Sequence, residues 1–172
     1  MPGRGVWLPS SRTKRPFREE SPVAVDRRHE AETDAERKRL RALVTRSTDD
    51  DLRRAMPGGW TVAGVLAHMG YWDARAIYWL DKWSRTGQPT PYEPENVEAV
   101  NDAAKPLCLA LRPRDAAQLA LRLADEADSK VSALTDTVLA KAQALESLPF
   151  NLSRATHRKE HLDELESALA AK

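Results

Sequence analysis

The chain has 172 residues, enough for one domain with a substantial core, whereas two independent domains would be cramped. Its 27 Lys and Arg almost balance 26 Asp and Glu, so no global field draws the body to nucleic acid or to an anionic membrane, and the expected partners are small molecules or a second copy of the chain. The lone cysteine, Cys108, excludes an intramolecular disulfide and a thiolate metal cluster.

Residues 1–25 (MPGRGVWLPSSRTKRPFREESPVAV) are rich in Pro, Arg and Ser and have no periodicity that could bury a face. They read as a disordered arm ahead of one domain over residues 26–172. The start lacks the continuous apolar core of a secretory signal, and no stretch nears membrane-spanning length, so the expected compartment is the cytoplasm.

The domain reads as helical almost throughout, because Leu, Ala, Arg and Glu recur at helical spacing and β-branched residues never alternate with polar ones. A first helix is expected from about Asp26 to Arg46, with Leu40, Leu43 and Val44 facing inward. After a turn at STDDDL, Thr61 is the expected N-cap of a second helix that runs to about Trp83, and Trp60 stands where it can staple onto Val65. RTGQPTPYEPEN is a loop, and Pro106 kinks or ends the helix that follows. From Asp115, the positions Leu119, Leu123, Ala127, Val131, Leu134 and Val138 predict one long third helix with a continuous seam. A last helix begins near residues 149–151, with Leu162, Leu165 and Leu169 inward. No strand pair and no glycine-rich phosphate loop is found, which disfavours nucleotide-binding α/β folds. Four long amphipathic helices, with a longer crossover between the second and third, describe an all-α four-helix bundle.

Three of the four histidines fall where one divalent ion could be held. His157 and His161 are four apart and share a helix face, so they form a pincer that His68 of the second helix could complete. Three nitrogens leave room for a further ligand, the arrangement of a catalytic rather than a structural metal. With about 100° per residue, His157 and His161 lie roughly 90° from the leucine stripe, and His68 borders the tryptophans of its helix. Residues at two such margins can converge in an open cleft. On spacing alone, a metal triad and ordinary packing histidines both remain open.

Nearby side chains have their own readings. Glu164 lies three after His161 and could orient a ligand or relay a proton, which makes it the candidate catalytic residue; Glu160 after His157 has the same ambiguity. Trp72 is a candidate pocket wall, although a stripe such as Trp72, Trp79 and Trp83 is more often core. Asp73 falls within the apolar arc of its helix, and a buried carboxylate needs a partner, for which an arginine pair or a backbone cap is favoured over a catalytic role.

The segments GGWTVAGVLAHMGYWDARAIYWL and HRKEHLDEL together resemble the DinB-like four-helix-bundle superfamily, which includes the amino-terminal domains of mycothiol-dependent maleylpyruvate isomerases and bacillithiol transferases. The marks are Trp60 ahead of the second helix, His68 in an LAH context and the H-x-x-x-H pair of the last helix. The resemblance implies a metal triad of His68, His157 and His161, and three neutral imidazoles suit zinc first and nickel second as the ion. It implies a thiol-dependent transferase or isomerase, or a small hydrolase, acting on a small electrophile with a low-molecular-weight thiol as possible cofactor. The alternative is a non-catalytic metal- or ligand-binding stress-response bundle. A homodimer is the preferred assembly.

Overall fold

The computed structural model describes residues 25–171, so the arm expected over residues 1–25 lies outside the described residues except for Val25. Helix α1 (His29–Arg46) buries Leu40, Leu43 and Val44 as its periodicity predicts. The expected turn at STDDDL is instead a short helix, α2 (Asp49–Arg53). Thr48 and Asp51 close a reciprocal capping box there, satisfying two N–H groups that a helix start leaves free.

A strand pair missing from the sequence reading follows. Strands β1 (Ala55–Met56) and β2 (Trp60–Thr61) pair antiparallel across a tight turn at Pro57–Gly59. Gly58 and Gly59 adopt φ of 68° and 73°, a region that disfavours any side chain. Two residues per strand are too few to leave an alternating pattern.

Helix α3 (Val62–Thr86) starts on Thr61, whose hydroxyl accepts from the Gly64 N–H at 3.0 Å, and ends at Gly87 in the left-handed conformation. Helix α4 (Val97–Ala110) runs through Pro106, which lies on an exposed face where water can serve the carbonyl left without its donor. Helix α5 (Pro113–Ser132) opens with proline, whose fixed φ suits a first turn. The single long third helix is a correction: the chain leaves the helix at Ala133, and Thr135 caps a separate α6 (Asp136–Gln143) through the Val138 N–H. Leu134 and Val138 are still buried, so the apolar rhythm survives a break that the Thr135 side chain creates by competing for a backbone donor. Helix α7 (Ala155–Ala170) starts about one turn later than expected and buries Leu162 and Leu165.

Helices α1, α5, α3 and α7 form a closed ring of neighbours, with α4 on the outside of α3. The seam of α5 is made of Ala116, Ala117, Ala120, Ala124 and Ala127, while Leu119 and Leu123 are only partly buried. Small residues let α3 and α5 approach closely: a Cβ added at Gly70 would stand 3.4 Å from the Ala120 backbone.

The interior has two apolar halves. One gathers Leu40, Leu43, Leu66, Met69, Ala120, Leu162 and neighbours, and the other gathers Leu80, Trp83, Val131, Leu139 and Phe150. Between them lies an ionic layer. Arg158, wholly buried, donates to both Asp128 oxygens at 2.7 and 2.8 Å and to Asp73 at 3.3 Å, and Arg154 donates to Asp73 at 2.8 Å. Of the two partners its wheel position left open, Asp73 has the arginine pair.

Candidate metal centre

Every residue of α3 from Val62 to Gly70 is buried, because this end of the helix is enclosed by α5, α7 and the hairpin. His68 is carried inside by that run. Its ring is 7% exposed and meets the edges of Trp60 at 5.6 Å and Trp72 at 6.4 Å between centroids. On α7, His157 and His161 stand one turn apart, edge to face, with centroids 4.7 Å from each other. They stand 5.7 and 5.0 Å from His68. The structure therefore brings all three histidines together.

Their donor set fits a single divalent ion. One nitrogen from each ring lies within 4.8 Å of the others. Two nitrogens bound to one tetrahedral zinc stand about 3.4 Å apart, so the rings must close inward by up to about 1.4 Å to hold it. Nδ1 of His68 and of His157 are buried and have no hydrogen-bond partner. Each orphaned nitrogen costs about 1–3 kcal/mol, a cost that a cation at the centre would offset for any lone pair turned toward it.

Burial keeps two of the rings, His68 and His157, neutral. Burial, helped by the nearby His161, pushes His68 down to about 4, and burial with the charges of His161 and Arg154 pushes His157 lower still. An imidazole that refuses a proton keeps its lone pair for a metal. Glu164 stands 3.3 Å from Nδ1 of His161, so a proton shared there leaves Nε2 free to ligate.

The triad opens on a cavity of about 780 Å³. His68, His161 and Glu164 line it, together with Trp60, Val65 and part of the hairpin, whereas His157 sits behind them. Trp72 stands beside the histidines without lining this cavity; its Nε1 donates to Asn101 at 3.0 Å, and Arg75 lies over its ring. Glu160 is exposed beside a separate groove next to α1. Trp83 stacks on Phe150 at the far end of the bundle. Buried Cys108 has its thiol pKa pushed up by desolvation, which suits a packing role.

Sequence reasoning missed the cavity's outer wall, formed by Glu98, Asn101, Asp102 and Lys105 of α4. Their spacing of three and four places them on one helix face. Nothing in that spacing says which helix the face meets. The partners of Asp73 were likewise unassigned, although Arg154 and Arg158 also stand four apart.

Three imidazoles gathered from two helices of the bundle could hold one divalent ion. A family model described as the DinB superfamily matches residues 32–165, and the chain belongs to that superfamily. No curated protein and no solved structure matches the chain.

Proposed function

We propose that this protein is a metal-dependent enzyme acting on a small electrophile, either as a thiol-linked transferase or isomerase or as a hydrolase. Zinc is the preferred ion and nickel the second, because three neutral nitrogens suit a borderline metal better than a hard one. The observation that carries the reading is the juncture of the triad with a cavity: two of its three histidines face space large enough for a small molecule. A divalent ion held there supplies Lewis acidity, lowering the pKa of a thiol or water and polarising an electrophile.

The chain's own residues prepare that site. Burial holds His68 and His157 neutral. Glu164 orients His161 and, being 56% exposed, can pass a proton from the ring to solvent. Trp60 and Val65 limit water along one wall. The cytoplasm and a homodimer belong to the same proposal; among the described residues no helix is long and apolar enough to cross a membrane.

A second reading is a stress-response bundle that binds metal or ligand without turnover. It is favoured by the exposure of Glu164, the one carboxylate that touches the triad among the described residues. Elemental analysis of protein purified without a histidine tag tests metal binding, with about one ion per chain expected. A screen of low-molecular-weight thiols with small electrophiles tests turnover, using His68→Ala as control. Turnover that disappears in the variant supports the enzyme; a metal-loaded protein inert throughout the screen supports the second reading.

A further inference from the structure

We propose that the cavity beside the triad selects an organic cation, a small molecule whose ammonium group is held by Glu98 and Asp102 while its apolar body lies along Trp60. The orientation of this ligand, with its reacting end at His68 and His161, rests on the reading of the triad as a reactive centre; its charge does not.

Ion pairing is widespread in this protein. Asp49 pairs with Arg114, Glu95 with Arg75, Asp81 with Lys130, and Glu166 with Arg39 and Arg46. Glu98 and Asp102 differ: no ion pair or side-chain hydrogen bond holds either of them among the described residues. They stand four apart on α4, so both carboxylates rise from one helix face, and both line the cavity. Glu164 adds a third carboxylate from the opposite wall. The cavity's one lysine pairs with none of them, so one ammonium stands against three carboxylates. The Lys105 ammonium donates to the Gly58 carbonyl and lies over the Trp60 ring, 5.2 Å from its centroid.

Carboxylates alone would not define a ligand site. At the inner end of the same cavity, His68 is 7% exposed and its buried Nδ1 has no partner. That orphaned group marks where the other end of a ligand, or the ion that receives it, completes the site. Met56, Trp60 and Val65 supply apolar surface between the two ends. A hydrated calcium or magnesium ion could meet the two carboxylates but would gain nothing from the apolar wall of Met56, Trp60 and Val65 beside them. An amine attached to an apolar body matches both the charge and the wall.

The test uses three probes of similar shape: phenethylamine, phenethyl alcohol and hydrocinnamate. Each is titrated into metal-free and zinc-loaded full-length protein while the indole N–H signal of Trp60 is followed by NMR. The amine is expected to bind about fivefold more tightly than the alcohol, the value of roughly 1 kcal/mol for a partly exposed ion pair. Hydrocinnamate is expected to bind more weakly than the alcohol. Both Glu98 and Asp102 are exposed, so Glu98→Gln with Asp102→Asn should leave the fold and the alcohol's affinity intact while abolishing the amine's advantage. Equal affinity for amine and alcohol, an advantage that survives in the double variant, or no binding of any probe would overturn the proposal. Zinc is titrated separately. Failure of zinc to bind, with the amine preference intact, removes the metal centre and leaves the cation site standing; zinc binding without amine preference does the reverse.

Discussion

His157 does not line the cavity, yet its pKa is pushed further down than that of His68, because α7 buries it beside His161 and Arg154. Its role in the site is to hold rather than to react. His157→Ala is therefore expected to weaken zinc binding by more than 100-fold, as loss of one of three protein ligands implies, with the helical far-ultraviolet spectrum unchanged. Competition with a chromogenic chelator measures it, and retained affinity would mean that the ion sits elsewhere. The same burial gives the metal-free protein an acid weakness. An unfolded chain protonates His68 near 6.5, whereas the folded chain resists until about 4, so stability contributed by the neutral ring is complete above about pH 7 and is lost as pH falls through that window. Urea midpoints should drop between about pH 6.5 and pH 4, and His68→Gln should flatten that fall; equal slopes in both proteins would contradict it. At this scale the sequence was informative. Spacing put His157 and His161 on one face, and the wheel marked Asp73 as out of place; the pairing of His68 with α7 came from family resemblance, since periodicity says nothing about neighbours.

Between elements, two devices set how α3 meets the rest of the bundle. The first is the ionic layer. Asp73→Ala would leave Arg154 without its carboxylate and Arg158 with only Asp128, both buried. A cost of about 3–5 kcal/mol is expected in urea unfolding, because a buried charge deprived of its partner is far more costly than a surface pair is worth. Replacing Asp73, Asp128, Arg154 and Arg158 together by Leu and Met should recover much of that loss; no recovery would mean the layer contributes net stability. The second device is the close contact of Gly70 with Ala120. Gly70→Leu must push α3 from α5 and is expected to cost about 1–3 kcal/mol, read from the same unfolding curves. A wild-type midpoint would show the contact to be slack. Element boundaries were less legible than element existence. The turn at Ala133 hid behind an unbroken apolar rhythm, the α2 capping box looked like a polar loop, and a hairpin of two residues per strand is too short for any periodicity.

For the molecule as a whole, the ring of helices places the triad between α3 and α7, which share fewer contacts than α3 and α5 do. An ion there would tie together the least packed joint of the ring. Zinc present at about 100 times its dissociation constant would add roughly 2.7 kcal/mol. In a chain of this size that corresponds to a rise in Tm of about 5–10 °C, reversed by chelator. An unchanged Tm under saturating zinc would show that the folded state gains nothing from the ion. The bundle class was readable from four amphipathic stretches, but the cavity was not, because its outer wall comes from α4, a helix outside the ring whose polar face carries no burial signal.

The two apolar halves of the interior would, by themselves, tolerate more than one alignment, since alanine and leucine seams look much alike after a slide of one helical turn, about 5.4 Å. The charged stratum between them does not. Arg154 and Arg158 are themselves one turn apart, so sliding α7 by that distance would leave at most one of them among the carboxylates and carry the other out of the layer, breaking the pair of contacts that Asp73 receives. Misaligned closures are thereby penalised during folding, and only one meshing of the helices survives. Because His157 adjoins Arg158 in sequence and His68 lies five residues before Asp73, the meshing that satisfies the charges is also the one that delivers the imidazoles to a common point.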